Sequence, residues 1–398
     1  MNASDTSLIK TLRQRFVDHF GHQDADIAVF FAPGRVNLIG EYTDFTGGLV
    51  FPCAINQGTF LLIRKTGNHQ YRFLSTNFDQ VATLEQNKLF EPGENTWVNY
   101  PLGVLEQFSQ RGCVLDGFDF LYSGNVPNGA GLSSSASIEV VTAFAMNTLL
   151  QTDLANSEIA RIAQRAENEF VGMQCGIMDQ FAVAMGKAGH ALQLNCNTLE
   201  YRHVPLNLTD LVIVIGNTNQ RRELNDSAYN QRVLECEKAL EILAPLLGIT
   251  SLGQLTPEQL NQHEAAFHGH PVALGRARHI CEENARVMAA VSALEAGDIG
   301  QFGKLMNASH DSLRDLFEVS SEPLNQLVNL AREQPGVLGS RLTGAGFGGC
   351  TVSILPGTAV ADFTKHVGSR YKQATGLDAD FYVVEASDGV KQVHGIAS

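Results

Sequence analysis

The stretch 124–136, Gly-Asn-Val-Pro-Asn-Gly-Ala-Gly-Leu-Ser-Ser-Ser-Ala, runs straight into a helical pattern and constrains this chain more than any other segment. Small residues let the backbone curl until consecutive N–H groups face one point, and a helix opening among the serines adds its partial positive charge there. Such a turn is a cradle for phosphate. Its closing hydroxyls can donate to phosphate oxygens or bind a hard cation such as Mg²⁺. Read alone, the same string could be a plain turn before a serine-capped helix, so the rest of the chain has to decide. It is not a Walker A loop, because no Lys follows the glycines.

The charge balance points the same way. With 28 Lys and Arg against 42 Asp and Glu, the formal charge is -14, which repels a nucleic-acid backbone and an anionic membrane surface. Neither is an expected partner. An anionic substrate must then be held by backbone amides, a few basic side chains or a metal ion. At 398 residues the chain exceeds what one hydrophobic core usually holds, which predicts two lobes, 1–200 and 201–398. Seven cysteines, widely spread and never in a C-x-x-C pair, read as buried thiols rather than a disulfide framework or a zinc knuckle. Charged residues interrupt the apolar ones over 1–20, so that segment reads as neither signal peptide nor membrane anchor, and the cytosol is the expected compartment.

Leu8, Leu12, Phe16 and Phe20 recur at helical spacing before Gly21, predicting a helix over 7–20. Short β-branched and aromatic runs predict strands over 28–32, 59–64, 71–74 and 118–122. Helices are expected over 134–150 and over 157–170, the second with Ser157 as N-cap. The apolar run 211–215 reads as a buried central strand, followed by helical patterns over 226–247 and 273–294 and a strand pair at 350–355 and 381–384. Strands followed by helices, twice over, give α+β lobes rather than an alternating parallel sheet. Trp97 and Phe90, near Pro92 and Gly93, are expected to pack a loop against the core, and His268 and His270 to lie on a solvated loop.

Three further constellations carry chemistry. Arg35, Glu41, Tyr42 and Asp44 cluster between glycines just after a strand, where paired carboxylates suit a polyol, although a mixed-charge loop read alone is more often a solvated surface. Glu167 near a helix end and Asp179 twelve residues later match the two acidic roles phosphoryl transfer commonly needs, one removing a proton and one holding a cation, although a lone Asp in a loop is usually a turn or cap residue. The segment 343–350 satisfies G-x-G-x-x-G, but a strand pattern follows it where a dinucleotide site needs a helix, so close packing of glycines is the simpler account.

Taken in order, GRVNLIGEYTDF (34–45), GAGLSSSAS (129–137), CGIMDQ (175–180), NTNQRRELNDSAYN (217–230) and LTGAGFGG (342–349) resemble the galactokinase signature and the motifs shared across the GHMP kinases. The resemblance covers residues 28–350. It implies a two-lobed α+β GHMP kinase fold with the active site in the cleft between the lobes and the last segment packing back on the first lobe. It implies the ATP-dependent phosphorylation of galactose at its anomeric hydroxyl, the step that opens galactose catabolism. Asp179 would be the catalytic base with Arg35 beside it. Gly129, Ala130, Gly131, Leu132, Ser133, Ser134 and Ser135 would cradle ATP, Ser75 would touch nucleotide, and Ser135 with Glu167 would hold Mg²⁺. Glu41, Tyr42, Thr43, Asp44 and Tyr229 would bind the sugar. No obligatory protein partner is implied, and a monomer is expected.

The chain departs from the family pattern at Tyr42, Phe45 and Thr46, which stand where His, Tyr and Asn are usual. A phenol is longer than an imidazole and does not titrate near neutrality, so one sugar contact must differ. Variation within the family is the simplest reading. The close rivals are kinases of N-acetylgalactosamine or galacturonate. A catalytically silent sugar sensor is disfavoured by the full serine run through Ser137, and a mevalonate or homoserine kinase by the acidic 35–44 segment.

Overall fold

Alternating apolar side chains build the first layer. Along β1 (Ala28–Asn37), Val29 and Phe31 pack with helix α1 (Ala3–Phe20), while Phe30 and Ala32 enter the core on the opposite face, as the two-residue period of a strand requires. The computed structural model describes residues 3–21, 27–78, 81–85, 93, 96–126, 131–220 and 225–393. After β1 come β2 (Leu49–Val50), β3 (Pro52–Lys65), β4 (Gln70–Ser75), β5 (Ala82–Glu85), α2 (Thr96–Gln110), β6 (Phe118–Gly124), α3 (Ser134–Leu150), α4 (Asn156–Arg165), α5 (Met178–Met185), β7 (His190–Asn195) and β8 (Tyr201–Pro205). The second half adds β9 (Leu211–Asn217), α6 (Asn225–Leu247), α7 (Pro257–His263), α8 (Pro271–Glu295), α9 (Ile299–Asp315), α10 (Glu322–Arg332), β10 (Gly339–Thr343), β11 (Cys350–Pro356), α11 (Val360–Thr375), β12 (Asp380–Val384) and β13 (Lys391–Gln392).

Six strands form the first sheet in the order β13-β1-β3-β6-β4-β5, antiparallel except for β4 beside β6. Helices α2 to α5 cover one face and α1 the other. The second sheet, β10-β11-β9-β12, is antiparallel throughout. Its interior strand β9 sends Ile213 and Ile215 into a core shared with Val36, Phe51 and Val287, and Val214 toward α10 and α11. Burial on both faces is why that strand reads as an unbroken apolar run. A small third sheet, β2-β7-β8, joins the two, and its β7–β8 hairpin straddles residue 200. Residues 391 and 392 return to pair with Phe31 and Phe30 of β1.

Several elements differ from the sequence reading. Strand β1 does not stop at Ala32 but continues through a bulge between Pro33 and Arg35, a place where a strand tolerates proline. Arg35 therefore projects from a strand, not a loop. A Cβ at Gly34 would stand 2.7 Å from the Leu132 carbonyl oxygen, so glycine is what lets β1 approach the turn before α3. Helix α4 is capped by Ala155, with no side-chain bond from Ser157, and ends at Arg165. Residues Ala166–Val171 then wind as a π-turn. Strands β11 and β12 do not pair with each other but flank β9. Trp97 belongs to the first turn of α2 and is buried, while Phe90 and Pro92 lie outside the described residues. His268 and His270 are exposed. All seven cysteines are unbridged, with Cys53, Cys236, Cys281 and Cys350 buried and Cys113, Cys175 and Cys196 half-buried. Among the described residues no helix is long and apolar enough to cross a membrane.

Candidate active site

Two elements from opposite ends of the first lobe's sequence meet at Asp179, in the first turn of α5. From β1, Arg35 donates through Nε to Asp179 Oδ1 and through Nη2 to Oδ2, each at 2.8 Å, and through Nη1 to the Gly131 carbonyl at 2.8 Å. A planar guanidinium forked onto a carboxylate fixes orientation as well as charge. Ser133 adds a third hold, donating from Oγ to Asp179 Oδ2 at 2.5 Å. It does so from a left-handed backbone, φ 60° and ψ 49°, at the cap position of α3 without capping that helix. For a non-glycine residue this conformation costs about 1–2 kcal/mol, and it is retained where surrounding contacts over-determine it.

This trio lies in a cleft of about 290 Å³ bordered also by Glu41, Tyr42, Asp44, Gly131, Ser134, Ser135, Glu167, Tyr229, Gly344 and Ala345. Eleven residues singled out from the sequence thus share one cavity. Others do not reach it. Thr43 is buried, and its hydroxyl donates to the Gly40 carbonyl at 2.9 Å and the Leu49 carbonyl at 2.7 Å, pinning the turn instead of facing a ligand. Leu132 is packed in the core between the sheets. Ser75 lies in an adjoining cavity of about 120 Å³ with Phe78, Trp97 and Tyr122, which reaches the cleft at Ser134 and Ser135. Gly129 and Ala130 fall outside the described residues.

The cleft is acidic, and each carboxyl is perturbed for an identifiable reason. Burial pushes Asp44 up to about 7, reinforced by the nearby charges of Asp179 and Glu41. Burial also raises Glu41, against the pull of Arg341 and Arg35. The Arg341 guanidinium, fully buried on β10, donates to Glu41 Oε2 at 2.6 Å and to the Asn37 carbonyl at 2.8 Å. Glu167, in the π-turn, is raised by burial and then by Asp179, while Ser135 hydrogen-bonds to it. Gln180 Nε2 bridges Glu167 Oε2 at 2.5 Å and Glu139 Oε2 at 3.1 Å, and burial beside Glu167 pushes Glu139 well above the usual carboxylate range. Burial keeps the Tyr229 phenol a neutral hydroxyl by raising it well above its ordinary value.

The sequence assigned no role to the residues that hold the 40–49 turn from behind. Glu283 on α8 accepts from the Gly40 N–H at 2.9 Å, from Ser309 Oγ at 2.6 Å and from Arg286 Nε at 2.6 Å. Burial alone would raise it, yet the charges of Arg286 and Arg341 and the Ser309 bond bring it down to about 2. His279, one turn away, contacts the Glu41 carbonyl through Nε2 at 3.1 Å. The signal was present in the pattern. Glu283 shares the buried face of α8 with Ile280 and Val287, and an ionisable residue on an apolar face demands a partner. Arg341 inside the fully buried strand β10 carries the same message.

An oxygen-lined, acidic cleft with a held carboxylate and a small-residue turn leading into a helix is the arrangement of a phosphotransferase. Residues 99–187 match the family described as GHMP kinases N terminal domain, and residues 290–373 the one described as GHMP kinases C terminal. The fold alone is shared with the mevalonate kinase of Methanococcus jannaschii, at a TM-score of 0.67, 19% identity and 92% and 99% coverage of the two chains. Residues 14–65 match the galactokinase galactose-binding signature. The galactokinase of Fusobacterium nucleatum subsp. nucleatum is 46% identical over 390 residues, covering 97% of this chain and 100% of that protein. The Bacillus subtilis galactokinase is 44% identical over 387 residues, covering 96% and 99%. The crystal structure of Lactococcus lactis galactokinase complexed with galactose superimposes with a TM-score of 0.94 at 38% identity, covering 97% and 100% of the two chains. The chain belongs to the galactokinase family, and it is an ATP-using kinase.

Proposed function

We propose that the chain transfers the γ-phosphoryl group of ATP to the anomeric hydroxyl of α-D-galactose, giving galactose 1-phosphate and ADP. The observation that carries this reading is the three-sided hold of Arg35 and Ser133 on Asp179 at the wall of the cleft. Asp179 accepts the proton of the attacking hydroxyl as the O–P bond forms, and the guanidinium of Arg35 offsets negative charge developing beside it. Glu41, Asp44 and Tyr229 offer acceptors and a hydroxyl to a polyol, and Tyr42 borders the same cleft. Thr43 and Leu132 support the site through the turn and the core. The adjoining cavity of Ser75 and Trp97 suits the nucleotide base, which leaves Ser133 to Ser135, with Gly129 to Gly131, to meet the phosphates.

Ser135 and Glu167 form an oxygen donor pair in a surplus of negative charge, which fits a hard cation. These two residues would hold Mg²⁺, which when bound would supply neutralisation of phosphate charge. The lobes divide after β8, so that the β7–β8 hairpin stays intact, with β13 returning to the first. The enzyme is read as a cytosolic monomer needing no protein partner.

Replacing Asp179 with Asn keeps the shape and removes the proton acceptor. Single-turnover rates with galactose should fall by about 10² to 10⁴, while the affinity for an ATP analogue changes by less than about threefold. A rate within about tenfold of the parent would remove Asp179 from this role.

A further inference from the structure

Where the family pattern has His, this chain has Tyr42, and the structure gives its hydroxyl a partner in the other half of the molecule. Tyr42 Oη donates to the Ala345 carbonyl at 2.5 Å. Its ring packs against Phe317 and Tyr229, with centroids 4.7 and 5.6 Å away, and is 4% exposed. The backbone is left-handed, φ 65°, a conformation that a bulky side chain holds only where its surroundings impose it. Ala345 sits in the loop joining β10 to β11, and that loop touches the phosphate side of the cleft. A Cβ added to Gly344, itself at φ 83°, would lie 3.1 Å from the Gly131 carbonyl oxygen, and that oxygen also accepts from Arg35. Tyr42, Ala345, Gly344, Gly131 and Arg35 thus lie in succession from the 40–49 turn to Asp179, bonded at either end and closely approached at Gly344 and Gly131. An imidazole is shorter than a phenol and carries no hydroxyl at that reach, so a His at this position could not make the same strap.

We propose that Tyr42 is a positioning residue that couples the two substrates: its hydroxyl sets the 344–346 loop against Gly131, so that a sugar bound in the cleft beside Tyr42 holds the phosphate side in its binding arrangement. The inference rests on the kinase reading above and goes beyond it, since sugar contact alone would require no link between sites. Coupling of this kind is reciprocal: whatever factor galactose gives to nucleotide affinity, nucleotide gives to galactose affinity. One net hydrogen bond carries about a 2- to 10-fold effect.

Calorimetric titration of the full chain with adenylyl imidodiphosphate and Mg²⁺, with and without saturating galactose, measures the factor directly. Repeating it with galactose as titrant closes the cycle. The parent should bind each ligand more tightly in the presence of the other. In Tyr42→Phe, which keeps the ring and loses the hydroxyl, that factor should shrink by about 2- to 10-fold in both directions. Should Tyr42→Phe not fold, Tyr42→His, which carries the residue usual in the family, is read in the same cycle with the same expectation. A parent without coupling, or a variant with the parent's coupling factor, overturns the inference alone. A parent that binds the nucleotide but no galactose overturns the substrate reading and this inference with it.

Discussion

Asp44 shows what the cleft asks of a single residue. Its carboxyl stands at about 7 in the folded protein against an ordinary 3.8, because burial and the charges of Asp179 and Glu41 oppose ionisation. A group whose folded value is raised contributes stability below its unfolded value and loses it as pH climbs through the folded one. The native protein therefore becomes less stable, relative to one with a neutral group there, as pH rises from about 4 to about 7. Asp44→Asn should gain on the parent by about 2–3 kcal/mol between pH 5 and pH 8 while losing sugar affinity. Thermal unfolding across that range tests it, and a Tm difference independent of pH would contradict it. The polar cluster at 35–44 was legible only together with the motifs that follow it, because a mixed-charge loop read alone is more often a solvated surface. Which of them face the cleft was not, since Thr43 turns its hydroxyl into the backbone only in three dimensions. The Tyr42 to Ala345 bond joins positions 303 residues apart, and nothing local announces it.

At the scale of elements, α8 does most to place the 40–49 turn. Glu283 gathers the Gly40 N–H, Ser309 and Arg286 around one carboxylate, and Asn284 Oδ1 takes the Leu49 N–H at 2.8 Å. Glu283→Gln keeps an acceptor for the turn but removes the charge that Arg286 holds at 2.6 Å, leaving it Glu282 at 3.5 Å, so the galactose KM should rise by about 5- to 50-fold. The ATP KM should move by less than about threefold. Steady-state kinetics in both substrates separate this from general loosening, which would raise both alike. Helix and strand periods exposed α3, α6, α8 and β9 in the sequence. They missed the continuation of β1 through its bulge and the π-turn that carries Glu167, because both are irregularities within a regular pattern. The pairing of β11 and β12 with β9 was likewise hidden, as alternation identifies strands but not their neighbours.

The whole molecule is tied together by cores that ignore sequence order. Val36 and Phe51 pack with Ile215, Val352 and Met306, and the chain's end returns to β1, so the cleft is framed by both halves. Its two sides meet at Gly131 and Gly344, where small residues allow the approach. The α+β class and the ordered motifs were readable because each has a local signature; the join was not, because it depends on contacts between distant segments. The central claim is that this cleft phosphorylates galactose at its anomeric oxygen, and the most direct test is the identity of the product. The protein is incubated with MgATP and each of galactose, glucose, N-acetylgalactosamine and galacturonate, and the products are examined by ¹H–³¹P correlation NMR. Galactose should be converted fastest, with phosphorus coupled to the anomeric proton. Phosphorus coupled to a proton at another carbon, or faster conversion of a different sugar, would contradict the account.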